Sequence, residues 1–412
     1  MRGILVILDG LGDRPCRKLK GKTPLEAAET PNLDYLAERG ELGLLYPIRE
    51  GVVPESDAAI VSILGNNPFE SARGQLEAAG ADISLTRGDL ALRTNFATIT
   101  SLQGEVIDRR AGRTLTTKEA KELGEEINKN IKLPVKFLFK PTVQHRGVLV
   151  FRGGFSDNIS NVDPAYAKKG KFKETDKIKF SEALDEDDEN AIYTSNILNK
   201  FVEQSFEILD KHHVNEERRK KGLLPANVIF ARDAGIEKPH LHPMQDWLAV
   251  TYMPVETGIA KCAKMGVFKF DYPEMKNFDV YQNLYEGLKK AINFSIKILK
   301  KEKKNYSYAY LHFKETDLPG HDNKPIEKRD MIEFLDRKFF SFLKRFAEKN
   351  KIKVLVTGDH STPCELKSHS SDPVPLVLCD WHVKKKQKFS EKQAKKGKLG
   401  ILYGKDVIRL LS

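Results

Sequence analysis

The chain reads as an α/β protein. It predicts a doubly wound, mostly parallel sheet with helices on both faces, interrupted by a smaller inserted α/β or α+β domain. Three observations carry this. Both ends of the chain alternate short apolar runs with amphipathic ones, the rhythm of strands joined by crossover helices. Between about residues 72 and 245 that rhythm yields to scattered strand-like runs and two long polar helical runs. The length of 412 residues also exceeds one core, at roughly 150 residues per domain. The predicted division is 1–71 with 246–412 for the outer domain and 72–245 for the insertion.

The elements follow in order. Ile4 to Leu8 is a buried-strand run that delivers Asp9 to the turn residues Gly10 and Gly12. Thr23–Arg39 is predicted helical, with Pro24 or Pro31 near its start and Leu33, Leu36 and Ala37 at helical spacing. A further helix begins about Asp57, after Pro54, and runs to Leu64. In the insertion, Phe96–Thr100, Gly147–Phe151 and Asn227–Phe230 are strand candidates, and Thr117–Asn130 and Asn190–His212 are helices. The Gly-, Asn-, Asp- and Lys-rich stretch 153–190 reads as loop. Beyond it come strands at Leu248–Thr251, Ser307–Phe313 and Val354–Thr357, and helices over Tyr281–Lys300 and Lys324–Lys349. Sheets of this kind bind ligands at the C-terminal ends of their strands. Acidic and histidine residues at those ends are therefore the ones to weigh.

Composition narrows the function classes. With 40% apolar and 31% charged residues the chain can bury a core, and no apolar run approaches the roughly 20 residues of a membrane span. No secretory signal pattern precedes the first strand, so the cytoplasm is expected. The four cysteines, Cys16, Cys262, Cys364 and Cys379, form no C-x-x-C pair, which fits neither a disulfide framework nor a thiolate metal site. The formal charge of +11 invites a nucleic-acid reading. Its Lys-rich tracts (Lys168–Lys173, Arg218–Lys221, Lys300–Lys304, Lys384–Lys398) lack aromatic interleaving and any recognition motif, so solvated loops and helix ends explain them better. A general attraction for small anions remains.

Four segments put metal-binding side chains after strands or turns: Ile7–Gly10, Pro54–Asp57, Glu315–Asp322 and Thr357–Pro363 with His369 following. Asp317 and His321 are spaced i, i+4, although Pro319 and Gly320 argue for a loop. Asp359 and His360 follow an apolar run directly and can both reach one ion if the chain turns at Gly358. Singly, Asp9 reads as a turn residue, His369 as a structural histidine and Ser56 as a helix N-cap. Three of the ten histidines fall in these segments beside carboxylates, and that joint occurrence favours a site. Carboxylate and imidazole donors suit Zn²⁺ or Mn²⁺. A hydroxyl at a helix N-terminus beside a dication is poised to accept a phosphoryl group.

These residues, with further stretches, resemble the alkaline phosphatase superfamily. More closely the chain is similar to the archaeal-type 2,3-bisphosphoglycerate-independent phosphoglycerate mutases, over nearly its whole length. The marks are Leu8-Asp9-Gly10, Glu55-Ser56-Asp57, Ala91 to Thr98, Asp108 to Arg113, His145-Arg146, Val162-Asp163-Pro164, Thr316 to Asp322 and Gly358 to Pro375. The resemblance implies one metal on Asp317, His321 and His369, and a second on Asp9, Ser56, Asp359 and His360. Ser56 would accept the phosphoryl group. Asp108, Arg109, Arg110, Arg113, His145, Arg146 and Arg232 would bind the substrate, the planar guanidinium forks suiting carboxylate and phosphate. Two divalent ions are implied, Mn²⁺ or Zn²⁺ with Mg²⁺ and Co²⁺ as further candidates, and no 2,3-bisphosphoglycerate.

The implied activity is the interconversion of 3- and 2-phosphoglycerate through phosphoserine, on a small anionic phosphate ester. Membrane and nucleic-acid partners are not expected, and a homo-oligomer is compatible with the sequence. The chain departs from the family pattern where His is usual (Ile60), at Ser71-Ala72-Arg73-Gly74, at Thr257 before Gly258-Ile259, and at Phe270 to Pro273. The metal set implied by the resemblance is intact, while part of the substrate-side set is altered. Another phosphohydrolase or phosphomutase of the superfamily is the alternative reading, and a non-catalytic nucleic-acid-binding protein a remote one.

Overall fold

A computed structural model describes residues 1–165, 177–274, 279–382 and 384–411. Its strands are β1 Gly3–Leu8, β2 Gly40–Tyr46, β3 Leu90–Ile99, β4 Val106–Asp108, β5 Phe137–Pro141, β6 Arg146–Phe151, β7 Val228–Gly235, β8 Trp247–Thr251, β9 Gly266–Lys269, β10 Tyr308–Phe313, β11 Lys353–Gly358, β12 Val374–Cys379 and β13 Gly400–Tyr403. The larger sheet has the order β13-β2-β12-β11-β1-β10-β8-β9. Only β12 runs against the others, so the mostly parallel sheet is as expected.

The central place of β1 explains its unbroken apolar run. Every residue of Gly3–Leu8 is buried. Ile4, Val6 and Leu8 pack into one core, Leu5 and Ile7 into the other. A strand covered on both faces loses polar alternation. Helices Pro31–Glu38, Val280–Glu302 and Pro325–Leu335 cover one face, and Ser56–Ile63 and Pro254–Cys262 the other. Register then fixes the site: Leu8 pairs with both Phe313 and Gly358. The next residues, Asp9, Lys314 and Asp359, emerge side by side at one rim.

The smaller sheet is antiparallel. β3 lies between β6 and β7, β5 borders β6, and β4 pairs with the end of β3. Helices Thr117–Asn130 and Glu189–Leu209 pack on it around a separate apolar cluster, the α+β form of the expectation. Thr116 and Glu119 form a reciprocal cap on the first helix, and Asp188 caps the second. Helix Arg73–Gly80 joins the two sheets, packing on β3 and on Pro254–Cys262. Gly80 and Gly258 meet there backbone to backbone, and a Cβ on either would collide with the opposite chain.

Three helix boundaries are corrected. Thr23–Arg39 is two helices, Pro24–Ala27 and Pro31–Glu38, because each proline opens its own helix. Lys324–Lys349 contains a π-helical turn at Asp336–Phe340. That turn carries the buried Asp336 carboxylate onto the N–H groups of Asn32 (3.1 Å) and Leu33 (2.7 Å) at the start of helix Pro31–Glu38. The helix predicted to His212 ends at Leu209, and a second one spans His213–Lys220. The Lys168–Lys173 tract lies outside the described residues. Arg218–Lys220 and Lys300–Lys301 end helices, where cations complement the dipole. All four cysteines are free. No helix among the described residues is long and apolar enough to cross a membrane.

Candidate active site

The floor of the site is acidic and imidazole-rich. Gly10 takes a left-handed turn (φ +60°) after Asp9 and donates its N–H to Asp359 Oδ1 at 3.0 Å. A Cβ at Gly10 would stand 2.6 Å from Asp317 Oδ1 and 2.7 Å from Thr362 Oγ1, so both φ and space require glycine. Asp317 precedes a single helical turn, Leu318–His321, rather than the expected loop. Pro319 is tolerated in a first turn, and the turn brings His321 Nε2 to 3.2 Å from Asp317 Oδ2. His360 Nε2 lies 3.1 Å from Asp9 Oδ1 and 3.4 Å from Asp359 Oδ2.

Ser56 is the first residue of helix Ser56–Ile63, and Glu55 holds the cap position, which corrects the expected N-cap role. Its Oγ lies 3.2 Å from His360 Nε2 and accepts from Lys314 Nζ at 3.4 Å. Lys314 also pairs with Asp9 and, at 2.9 Å, with Glu256. Burial opposes its charge, but Asp9 and Glu256 outweigh burial and hold it protonated.

The donor set fits divalent cations. Asp317, His360 and His369 bring ligand atoms within 4.8 Å of one another, and so do Asp9, His312 and Asp359. His321 and His369 direct Nδ1 at the carbonyls of Lys367 (3.0 Å) and Pro54 (2.9 Å). A carbonyl only accepts, so each Nδ1 carries a proton and each Nε2 faces the site, the orientation a metal requires. Burial makes that Nε2 a lone pair on His369, while on His321 burial is outweighed by the Asp317 carboxylate, which draws the ring toward its protonated form. Asp9 Oδ1, Asp359 Oδ2 and His312 Nε2 are buried with no hydrogen-bond partner among the described residues. Burial and the Asp9 carboxylate push Asp359 up to about 7. Burial and His360 push His369 down to about 4, neutral as a ligand must be. Cations would relieve this packing of carboxylates.

The facing wall is basic. Arg110, Arg113, His145, Arg146 and Arg232 line a cavity of about 190 Å³, together with Asp9, Ser56, Asp317, His321 and His369. That is room for a small metabolite. Arg146 and Arg232 come from β6 and β7, on either side of β3. Arg110 and Arg113 flank a tight turn whose N–H groups of Arg110 and Gly112 donate to Asp108 at 2.7 and 2.9 Å. Arg113 Nη1 reaches Asp322 at 2.8 Å, next to His321. Burial, then Arg146 and Arg110, push His145 well below its usual value, so it is neutral.

Two predicted substrate residues are not brought to the cavity. Asp108 supports the turn just described. Arg109 forks onto the buried Asp163, Nε to Oδ1 at 2.6 Å and Nη2 to Oδ2 at 2.5 Å. Asp359 and His360 lie beneath the cavity surface, behind Asp9.

Several site residues escaped the sequence reading: Lys314, Glu256, His312, Arg73, Arg93 and Tyr272. Lys314 had a signal, since it follows β10 as Asp9 follows β1. Of the departures, Ile60 is buried in the core. Thr257 is occupied internally, 2.9 Å from Thr251 Oγ1 and donating to Met253 O at 2.8 Å. Tyr272, in the altered stretch, does line the cavity and donates to Glu315 at 3.2 Å.

Comparison with known proteins agrees with this geometry. Residues 37–215 match the family model described as 2,3-bisphosphoglycerate-independent phosphoglycerate mutase. Relatives of that name from Thermococcus kodakarensis and Aeropyrum pernix are each 38% identical, covering 100% and 98% of this chain and 96% and 97% of their own lengths. A solved Pyrococcus horikoshii protein superposes with a TM-score of 0.75 at 32% identity, over 100% of this chain and 96% of that one. The cofactor-independent phosphoglycerate mutase of Thermoplasma acidophilum gives 0.55 at 29% identity, over 100% of both chains. The chain belongs to the 2,3-bisphosphoglycerate-independent phosphoglycerate mutase family.

Proposed function

We propose that this chain interconverts 3-phosphoglycerate and 2-phosphoglycerate through a phosphoserine at Ser56. The observation that carries the reading is the position of Ser56 Oγ. It lies where the acidic floor meets the basic wall in one cavity, 3.2 Å from His360 Nε2 and 3.4 Å from Lys314 Nζ.

Asp317, His321 and His369 would hold one divalent ion, and Asp9, Ser56, Asp359 and His360 the other. Bound there, such ions would supply Lewis-acid activation of the hydroxyl and neutralise phosphoryl oxygens. Mn²⁺ and Zn²⁺ suit the oxygen and nitrogen donors. Ser56 Oγ forms its bond to phosphorus as the bond to the glycerate oxygen breaks, and the proton given up by the Ser56 hydroxyl ends on that oxygen, so glycerate leaves with a free hydroxyl. Lys314, kept protonated, stabilises the charge on the transferring group rather than removing a proton. Arg110, Arg113, Arg146 and Arg232 hold the carboxylate and phosphate, and neutral His145 offers a hydrogen bond without adding charge. The glycerate turns in place, and its other hydroxyl takes the phosphoryl group back. Water must stay out of the cavity between the two transfers.

The reading extends to domain organisation and setting. Residues 72–245 would form the inserted substrate-binding domain, with helix Arg73–Gly80 as its hinge-side contact. The free cysteines, three of them buried, suit the reducing cytoplasm.

Incubating the protein and Mn²⁺ with 3-phosphoglycerate tests the reading. Formation of 2-phosphoglycerate is expected. Release of inorganic phosphate alone would instead mark a phosphatase. Ser56→Ala should lose on the order of 10⁴ in kcat, and a fully active variant removes the phosphoserine step.

A further inference from the structure

We propose that Thr362 is a positioning residue that couples the two metal positions while touching neither ion. The proposal rests on the reading of the floor as a two-metal site. The Thr362 hydroxyl donates to Asp317 Oδ1 at 2.7 Å and lies 3.0 Å from His360 Nδ1. A hydroxyl has one proton. A carboxylate can only accept, so that proton belongs to Asp317 and the bond to His360 must use an Nδ1–H. Thr362 therefore sets the orientation of the His360 ring, with a proton on Nδ1 and Nε2 turned to Ser56, Asp9 and Asp359. The same oxygen orients Asp317, a ligand of the other ion. One side chain thus serves both sites.

Close packing surrounds this hydroxyl. Thr362 is fully buried. Its Oγ1 sits where a Cβ on Gly10 would come within 2.7 Å, and its Cγ2 where one on Gly320 would come within 2.8 Å. Two glycines accordingly clear the space on either side. The backbone is pinned as well. Thr362 donates its N–H to Gly12 O at 3.0 Å. The buried Lys328 ammonium donates to Thr362 O at 3.0 Å, Gly12 O at 3.1 Å and Asp13 Oδ2 at 2.8 Å. The loop after β1 and the loop after β11 are thereby tied together directly below the hydroxyl.

Calorimetric titration of Mn²⁺ into protein freed of metal by chelation reads this out. Thr362→Val keeps the shape and removes both hydrogen bonds, and the affinities for both ions should fall about 10- to 100-fold. Thr362→Ser should retain both. Thr362→Ala gives the same readout should the valine variant not fold. Wild-type binding of two ions by Thr362→Val or Thr362→Ala overturns the proposal. Loss of only one ion overturns the coupling, and loss in Thr362→Ser shows that packing, not the hydroxyl, is responsible. If wild-type protein binds no divalent ion, the metal reading itself has failed, a result distinguishable from all of these.

Discussion

The floor and the wall of the cavity carry opposite charge and are stabilised in opposite ways. The floor gathers Asp9, Asp317 and Asp359 at consecutive strand ends, with Asp9 Oδ1 and Asp359 Oδ2 lacking any hydrogen-bond donor among the described residues. The wall gathers arginines, but many arrive with their own carboxylates. Arg73 lies 3.5, 3.4 and 3.5 Å from Glu55, Asp57 and Glu77. Arg109 and Arg232 share Asp163, and Arg113 meets Asp322. Much of the wall's charge is therefore paired within the folded protein, whereas the floor gathers carboxylates that cations would neutralise. A binding surface can be pre-paired and still bind, while a ligand set for metal must keep its lone pairs open.

After loss of the Ser56 nucleophile, Asp359→Asn is the largest expected departure. Losing this ligand should cost about 10³-fold in kcat, or ~4 kcal/mol. The metal-free protein should move the other way and gain about 1–4 kcal/mol at pH 8, because a buried like charge is gone. The sign follows from the shift. Asp359 is pushed up to about 7 by burial and Asp9, so wild type loses stability as pH rises from about 4 through 7. The gain should thus vanish near pH 4. Urea unfolding in chelator at both pH values checks it, and a variant less stable at pH 8 would mean the floor is not strained by its own charges.

Arg73→Met probes the wall by the same measurement, with the opposite sign. The side chain is 11% exposed and faces three carboxylates. Removing it leaves Asp57 without that partner, while Arg93 still meets Glu77 at 3.4 Å, and should destabilise by about 3 kcal/mol. An unchanged unfolding midpoint would erase the contrast between the two surfaces.

The acidic and imidazole residues that the structure gathers in the floor were legible in the sequence because few residue types can hold a metal, and each of these candidates follows an apolar run or a turn. Lys314 obeys the same placement, but lysine is not a metal ligand, so the pattern of ligand types gives it no weight. The wall was less legible. Arginine is common, and adjacent residues diverge: Arg110 lines the cavity while Arg109 turns onto Asp163. No one-dimensional pattern separates them, since the tight turn with positive φ at Ala111, Gly112 and Arg113 decides it. In the fold, the central strands were readable from unbroken apolar runs. β2 and β12 were not, because Gly40, Gly43 and Pro375 interrupt them. Those glycines have a reason in space: a Cβ at Gly40 would strike the β12 backbone at Leu378 and Cys379.

His145 gives the smallest effect and the finest distinction. It is buried in the wall, its Nδ1 has no hydrogen-bond partner among the described residues, and burial followed by Arg146, Arg110 and Arg113 pushes its pKa well below the usual 6.5. Below about pH 6.5 the unfolded chain binds a proton there that the folded chain refuses. Folding stability therefore drops as pH falls, at up to about 1.4 kcal/mol per pH unit from this group. His145→Asn removes the titration while keeping a polar side chain. Any stability deficit of the variant at pH 7.5 should shrink by about 1–2 kcal/mol at pH 5.5. The expectation runs against Asp359→Asn, whose advantage grows with rising pH. Urea unfolding of both variants across one pH series decides it: curves that bend the same way would mean that floor and wall do not differ in the sign of charge they resist.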